Sequence, residues 1–174
     1  MNSSERRNKW SPTAASKVKR RSELRKILTA LQSDGKTVVF TNGCFDIMHV
    51  GHVRYLEKAR SLGDCLVVGV NTDGSVRLRK GSKRPFVSEF QRAEIVAALG
   101  CVDYVTLFSE ATPVEIVDEL RPDIHVKGGD YTLDQMPEAP VVQAYGGRVV
   151  LIPVVEGYST TKIVSRILGI EGRG

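Results

Sequence analysis

Short apolar stretches alternate with amphipathic ones along most of this chain. Five stretches are almost wholly apolar and rich in β-branched residues, which predicts strands at 37–41, 65–71, 101–108, 123–129 and 148–154. Strands without a polar face are typical of a parallel sheet covered on both sides, because neither face then meets water. The pattern therefore predicts a single doubly wound α/β domain, Rossmann-like, with a five-stranded parallel sheet.

Helical periodicity occupies most of the segments between these strands. A first helix, capped by Ser22, carries apolar residues at helical spacing and closes near 34–35. Its repeating residues are Leu24, Ile27, Leu28 and Leu31. Further helices are predicted up to Gly63, over 89–100, over 112–120 with Thr112 as cap, over 138–147 and over 159–168. Residues 72–88 lack such a pattern and are predicted to form a long loop, which is usually functional or mobile.

Composition narrows the class of protein. The 174 residues suffice for one domain with a sizeable core. The chain has three cysteines, Cys44, Cys65 and Cys101, in or beside apolar runs, which favours reduced thiols and a cytoplasmic location over a disulfide framework. No apolar run is long enough to span a bilayer and no signal peptide opens the chain, so no membrane partner is expected.

The net charge of +5 is concentrated near the N-terminus. Residues 1–26 hold nine basic and two acidic residues, a charge of +7, so the remainder carries −2. We interpret 1–21 as a basic, flexible, solvated tail and 22–170 as the folded domain. A nucleic-acid-binding arm is the alternative, but no nucleic-acid partner is expected. Deletion of residues 1–20 is predicted to leave activity roughly unchanged.

Candidate chemistry gathers after the predicted strands. Glycine, histidine and lysine are frequent in the segments "NGCFDIMHVGH", "NTDGSVRLRKGSKRP", "KGGDY" and "EGYSTTK". The carboxyl ends of parallel strands meet at one edge of a sheet, and ligands of such sheets bind there. These four segments are therefore the predicted active face.

The first segment contains two of the three histidines. His49 and His52 are three residues apart at a predicted helix start, so both imidazoles face one point. Gly43 permits close backbone approach, and Gly51 leaves the helix mouth without a side chain, so a phosphate fits against the free N–H groups. Imidazole donors beside the positive helix end suit charge that develops on an α-phosphate and a departing pyrophosphate.

Two other interpretations of this segment remain open. Cys44, His49 and His52 could be three ligands of a zinc ion, although a fourth ligand is missing. The two histidines could also simply cap and pack the helix.

This segment resembles the HxGH signature of the nucleotidyltransferases related to cytidylyltransferases, and residues 41–59 resemble their first strand-loop-helix unit. Neither a dinucleotide-binding glycine fingerprint nor a complete Walker motif, GxxxxGK[ST], is found. The stretches "GVNTDGSVRLRKG", "CVDYV", "RPDIHVKGGDY" and "EGYSTTKI" follow in the order typical of bacterial heptose 1-phosphate adenylyltransferases. The resemblance covers residues 36–168, and with no kinase domain ahead of it a free-standing form is expected.

The other segments carry basic and hydroxyl side chains. Lys80 resembles the family's loop lysine and Arg92 the arginine of its following helix, although a merely solvated basic loop is the alternative. His125 lies inside a strand, where a packed core histidine is expected. Residues 159–161 resemble the second family signature, where hydroxyls and N–H groups cradle phosphates. Glycerol-phosphate cytidylyltransferases place an arginine before it; here valines occupy 154 and 155, which fits the heptose branch.

These observations and the resemblance define the expected site. The expected catalytic residues are His49, His52, Lys80 and Arg92. The expected nucleotide-binding residues are Thr41, Asn42, Gly43, Phe45, His49, Gly51, His52, Lys127, Gly128, Gly157, Ser159, Thr160 and Thr161. The expected substrate-binding residues are Asp46, Asn71, Lys80, Arg84, Lys127 and Asp130. No protein ligand for a metal is assigned.

The resemblance implies that ATP and D-glycero-β-D-manno-heptose 1-phosphate react to ADP-heptose and pyrophosphate. It also implies Mg²⁺ bound with ATP and a homodimer. The alternatives are a related transferase acting on glycerol phosphate, phosphopantetheine or nicotinamide mononucleotide, and a non-catalytic nucleotide-binding regulator.

Overall fold

The predicted parallel sheet is present in a computed structural model of the chain, which describes residues 13–129, 132–153 and 157–169. Its strands are β1 (Val38–Gly43), β2 (Cys65–Asn71), β3 (Tyr104–Phe108), β4 (Ile124–Gly128) and β5 (Arg148–Ile152). All pair in parallel, in the order β3-β2-β1-β4-β5. The strand order reverses between β1 and β4, and sheets of this kind bind ligands beside such a reversal.

Helices cover both faces of the sheet. They are α1 (Ala14–Lys17), α2 (Arg21–Ser33), α3 (Val50–Arg60), α4 (Asp73–Lys80), α5 (Glu89–Ala97), α6 (Val114–Leu120), α7 (Ala139–Ala144) and α8 (Thr160–Ile167), with a 3₁₀ turn at Leu133–Gln135. No helix in the described ranges has the length and apolar character needed to cross a bilayer.

Two apolar cores form because successive residues of a strand point to opposite faces of the sheet. On β1, Val39 packs into the core shared with α3 and α5, whereas Val38 and Phe40 pack into the core shared with α2, α6 and α7. Every residue of β2 is buried. The expected burial on both faces is thus complete in β2 and nearly so in β1, whereas β5, at the edge of the sheet, is only partly buried.

The predicted long loop at 72–88 contains a helix, α4, so this prediction was wrong for its first half. The side chain of Thr72 caps α4 by accepting a hydrogen bond from the N–H of Ser75 at 3.4 Å. Gly81, with φ of +89°, ends it. Because Val76 is the one large apolar side chain that α4 buries, the sequence shows no clear helical period there.

Two predicted helix caps also differ from the structure. Helix α2 already begins at Arg21, so Ser22 lies inside its first turn and does not cap it. Helix α6 begins at Val114, with Pro113 rather than Thr112 as the residue that precedes its first turn.

The folded domain begins earlier than residue 22. Lys17, at the end of α1, donates hydrogen bonds from its ammonium group to the carbonyls of Val102 at 2.8 Å and Leu99 at 3.4 Å. Val18 forms a parallel bridge with Val105 at the edge of β3. Residues 13–21 of the predicted tail therefore contact the domain, partly through Ala14 and Val18, which pack against the core beneath α5 and β3. Residues 1–12 lie outside the described residues.

Candidate active site

A cleft of about 350 Å³ opens beyond the carboxyl ends of β1 and β4, where the strand order reverses. Its walls come from the loop after β1, the starts of α3 and α8, the end of α4 and the loop that follows α4. Its lining residues are Asn42, Gly43, Cys44, Phe45, Asp46, His49, Gly51, His52, Tyr55, Asn71, Val76, Arg79, Lys80, Arg84, Lys127, Gly128, Tyr158 and Thr160. The structure thus brings most of the expected site residues together.

The loop between β1 and α3 folds tightly enough to place Phe45 in the core. Phe45 and Ile47 both have φ near +50°, a conformation that side-chain-bearing residues rarely adopt. The ring of Phe45 lies against Gly43, where a Cβ atom would come within 3.0 Å of it. A side chain at position 43 would therefore press against the Phe45 ring that packs this loop into the core.

His49 and His52 meet at the start of α3. His49 is the residue before the first helical turn, and its ring stacks on that of His52 with 3.9 Å between centroids. The backbone N–H of His49 points at Nδ1 of His52, 3.4 Å away. Because this contact requires an unprotonated Nδ1, the neutral His52 ring carries its proton on Nε2 and can donate it to a ligand.

Both imidazoles are predominantly neutral. Burial, with smaller contributions from the nearby charges of His49 and Lys80, lowers the pKa of His52 to about 4. Burial also lowers the pKa of His49. The Nδ1 atom of His49 is buried and has no hydrogen-bond partner among the described residues. This nitrogen faces Gly51 at the start of α3, where the His49 side chain lies against the backbone N–H of His52.

Gly51 has a different role from the one expected. A Cβ atom at this position would lie 3.0 Å from the ring of His49 and 3.3 Å from Cβ of Tyr158. A side chain at this position would thus press against His49 and Tyr158, while the backbone of Gly51 itself lines the cleft. The glycine is needed because it lets the His49 ring lie across the start of α3.

The basic wall of the cleft is formed by the end of α4 and the loop after it. Lys80, Arg79 and Arg84 line the cleft here. Arg84 pairs with the buried carboxylate of Asp46 at 3.0 Å. Asp46 also accepts hydrogen bonds from the N–H groups of Phe86 and Val87 at 3.0–3.1 Å. The carboxylate of Asp46, expected to contact substrate, instead ties this loop to the segment after β1.

Arg92, expected to be catalytic, lies behind the cleft and not on its wall. Its side chain is completely buried and donates to the carbonyls of Cys44, Val87 and Asn71. It also forms an ion pair with Asp73 at 2.7 Å. All three guanidinium nitrogens are thus engaged by the protein, so Arg92 joins the ends of β1 and β2 to α4. Asn71 lines the cleft, but its amide donates to Ser75.

The hydroxyl side of the cleft lies at the start of α8. Ser159 caps this helix by accepting a hydrogen bond from the N–H of Lys162 at 3.1 Å. The hydroxyl of Thr160 donates to the carbonyl of Asp46 at 2.8 Å, which connects α8 to the loop after β1. Of the expected residues here, Thr160 lines the cleft, whereas Gly157, Ser159 and Thr161 lie outside its lining.

The carboxyl end of β4 supplies a cation. Lys127 lines the cleft, with its ammonium group 3.4 Å from Oδ1 of Asn42. The expected core role of His125 is confirmed, because its buried ring stacks on Phe40. Asp130, the expected substrate-binding residue that follows, and residues 154 and 155 lie outside the described residues.

Several lining residues were not anticipated. Tyr55 is held beneath the cleft by a 2.6 Å contact with the Thr41 hydroxyl and a hydrogen bond to the carbonyl of Val126. Thr41, expected to bind nucleotide, is buried below the cleft through this contact. A Cβ at Gly128 would come within 2.8 Å of the Tyr55 ring. Besides Tyr55, the lining residues that were not anticipated are Cys44, Val76, Arg79 and Tyr158. A helical aromatic such as Tyr55 gives no distinguishing signal in the sequence.

The zinc alternative finds no support. In the parts of the chain that the structure describes, no group of three or more His, Cys, Asp or Glu side chains is arranged to hold a metal ion. Cys44, Cys65 and Cys101 are free thiols, as expected.

A doubly wound parallel sheet with stacked imidazoles, cations and a hydroxyl-capped helix around one cleft fits the nucleotidyltransferase class of enzymes. The profile of the cytidylyltransferase-like family matches residues 40–166, nearly all of the sheet and the helices around it. The chain belongs to the cytidylyltransferase-like family, and the predicted nucleotidyltransferase class is confirmed.

Curated relatives are similar over most of the chain. The bifunctional protein HldE of Syntrophotalea carbinolica is 58% identical over 153 residues, which cover 88% of this chain and 31% of the relative. The bifunctional protein HldE of Geobacter sulfurreducens is 54% identical over 156 residues, covering 90% and 32%. The chain thus spans about a third of the length of these relatives.

A solved structure is similar as well. The crystal structure of the lipopolysaccharide core biosynthesis protein from Thermoplasma volcanium GSS1 is 32% identical, with a TM-score of 0.58. The match covers 72% of this chain and all of that one. That protein is matched along its whole length, so it consists of the domain that the two structures share.

Proposed function

We propose that this chain is an adenylyltransferase that joins ATP and D-glycero-β-D-manno-heptose 1-phosphate, giving ADP-heptose and pyrophosphate. The site supports transfer to an anionic acceptor, because neutral imidazole donors and cations surround one cleft. The HldE relatives and the lipopolysaccharide core biosynthesis protein support a heptose-containing acceptor. The observation that carries the proposal is the stacked His49–His52 pair on the cleft wall.

The chemistry asks the protein for positioning and charge stabilisation. An oxygen of the sugar 1-phosphate, already anionic at neutral pH, attacks the α-phosphorus of ATP. The bond from that phosphorus to the oxygen bridging to the β-phosphate breaks, and pyrophosphate leaves with the electron pair. No general base and no covalent enzyme intermediate are required, so in-line geometry and fixed donors provide the acceleration.

The lining side chains divide this work. His52 donates its Nε2–H to the α-phosphate, where negative charge grows, and His49 binds a neighbouring phosphate oxygen. Lys80 and Lys127 neutralise phosphate charge from different walls of the cleft. The N–H groups at the start of α8 hold the distal phosphates, and the Thr160 hydroxyl fixes that helix start against the loop after β1. Arg92 supports these groups from behind by fixing the loop after β1.

Mg²⁺ is proposed to arrive with ATP, held by phosphate oxygens and water, as is common for this ion. The carboxylate of Asp46 is engaged by Arg84 and two backbone N–H groups. The described cleft residues therefore do not form a protein cage for Mg²⁺, and no step is assigned to the ion. The expected homodimer and cytoplasmic location remain predictions; sedimentation of the purified chain tests the former.

The direct test offers ATP or CTP with a panel of sugar 1-phosphates and measures pyrophosphate release, with mass spectrometry of the product. We expect turnover with ATP and heptose 1-phosphate, and loss of it in His52→Ala. Turnover with CTP and glycerol 3-phosphate instead would replace the proposed substrates. If the chain binds ATP but releases no pyrophosphate with any of the acceptors offered, it is a nucleotide-binding regulator.

A further inference from the structure

A buried polar network lies directly behind Lys127. His125 and Lys127 are two residues apart on β4, so their side chains point to the same face of the sheet. Glu138, the residue before the first turn of α7, reaches both from the helix that covers this face. Its Oε1 lies 3.0 Å from the ammonium of Lys127 and 3.2 Å from Nε2 of His125.

The protonation states of Glu138 and His125 follow from their burial and from their contacts within the network. Burial alone would raise the pKa of Glu138, but the hydrogen bond from His125 and the charge of Lys127 outweigh it and lower the pKa to about 2. Burial lowers the pKa of His125. Glu138 is therefore a carboxylate and His125 a neutral ring. Since a carboxylate only accepts, the Nε2 of His125 carries the proton that it shares with Glu138.

The network extends from the core to the cleft. Glu138 is 1% exposed and does not line the cleft, whereas Lys127 lines it and is 16% exposed at its side chain. The Lys127 ammonium also lies 3.4 Å from Oδ1 of Asn42, at the end of β1. Contacts from α7 and β1 thus fix the cation at the carboxyl end of β4, close to where the strand order reverses.

We propose that Glu138 is a positioning residue for the transfer reaction, holding the Lys127 ammonium at the cleft wall, with His125 holding Glu138. This inference rests on the proposed function, since it assigns Lys127 to a phosphate of one substrate. A lysine has a flexible four-carbon stem, so its charge is precise only when a partner restrains it. Restraint before substrate arrives is what makes a fixed charge effective in catalysis.

The test is a double-mutant cycle on the full chain, made from Glu138→Gln, Lys127→Gln and the pair. Glutamine at 138 keeps the shape and can still accept from His125, so the fold should persist. We expect kcat/KM to fall by about 10- to 100-fold in each single variant, a typical effect of a misplaced charge. In the Lys127→Gln background, Glu138→Gln should cause no further loss, because it acts through Lys127.

Two further variants separate positioning from stability. Val142→Ala removes buried apolar contacts from the same helix without touching the network. It should lower the melting temperature yet leave both KM values unchanged, whereas Glu138→Gln should raise the KM of ATP. Glu138→Asp retains the charge but shortens the side chain, and it should recover part of the lost activity.

If the wild type is active, two results would overturn the inference. One is that Glu138→Gln lowers kcat/KM by the same factor in the wild type and in the Lys127→Gln background. The other is that Lys127→Gln does not lower kcat/KM. If the wild type releases no pyrophosphate with any sugar phosphate, the proposed function is wrong. The inference is then judged by calorimetry with ATP, where Glu138→Gln should weaken binding at least tenfold. Unchanged ATP affinity, or no ATP binding by the wild type, would overturn it.

Discussion

The imidazoles of His49 and His52 stack at the start of α3, directly after a tightly folded loop. The hydroxyls of Ser159 and Thr160, by contrast, open a helix, α8, that buries none of its residues. The loop after β1 is held by the packed ring of Phe45 and by the buried guanidinium of Arg92. The described start of α8 is tied to that loop by the hydrogen bond from Thr160 to the Asp46 carbonyl.

This difference separates two kinds of contribution to one reaction. Groups held in place before substrate binds stabilise charge in the transition state and affect kcat. Groups that must be ordered by the substrate contribute mainly binding energy and affect KM. We therefore expect the imidazole side of the cleft to control the rate of transfer and the hydroxyl side to control the affinity for ATP.

The largest effect is expected from His52→Ala. Loss of one fixed donor to the developing charge should lower kcat by about 10³-fold, with little change in the KM of ATP. Steady-state pyrophosphate release measures both constants. Val53→Ala, the next residue of α3, is the matched control and should stay within threefold of the wild type. A near-normal kcat in His52→Ala would show that this imidazole does not act in the transition state. The proposed difference between the two sides of the cleft would then be wrong.

A smaller effect is expected on the opposite side. Ser159→Ala combined with Thr160→Val removes the cap of α8 and its hydrogen bond to the loop after β1. The KM of ATP should rise about tenfold, the cost of one or two hydrogen bonds, while kcat changes less than threefold. Ser165→Ala on the same helix is the control. A fall in kcat as large as that of His52→Ala would show that both sides act in the transition state.

A third prediction concerns pH. The pKa of His52 is about 4 in the folded chain and near 6.5 when unfolded, so the unfolded chain binds more protons between these values. Stability attributable to His52 should therefore be complete above pH 6.5 and should decline as pH falls toward 4. Thermal unfolding of wild type and His52→Asn measures this: the acid-side decline should be shallower in the variant.

Proton titration by NMR sharpens the same point. The His52 ring of the free protein should titrate near pH 4, and negative phosphates should raise its pKa when ATP binds. His125 does not line the cleft, so its signal should change less than that of His52 when ATP binds. A His52 ring that titrates near 6.5 in the free protein would mean that the loop after β1 is not preformed.

The sequence predicts best the elements whose residues are nearly all apolar, because such elements stand out from their polar neighbours. All five strands were found because both of their faces are apolar, and the cleft was located because loops after parallel strands meet at one edge. Helix α4 was missed, since it buries little apolar surface. The sequence also cannot tell a charge that faces a ligand from one engaged by the protein. Arg92 and Asp46 are of the second kind, a difference that only tertiary contacts reveal.

The smallest effect on activity is expected from shortening the N-terminus, because none of the described residues 13–20 lines the cleft. A chain beginning at residue 13 should match the wild type in kcat, KM and melting temperature. A chain beginning at residue 21 loses the hydrogen bonds of Lys17 and the bridge of Val18 to β3. Two or three such interactions contribute about 1 kcal/mol each, so its melting temperature should fall by about 5 °C.

The longer deletion should nevertheless keep normal kcat at temperatures where it is folded, because no cleft-lining residue is found among 13–20, the part of the deleted segment that the structure describes. Lys17→Met, which removes only the ammonium contacts, should reproduce part of the thermal shift. An unchanged melting temperature in the chain beginning at 21 would restore the flexible-tail interpretation of 13–20. Lost activity with a normal melting temperature would mean that the basic segment acts in the reaction, and would extend the comparison to a third region of the molecule.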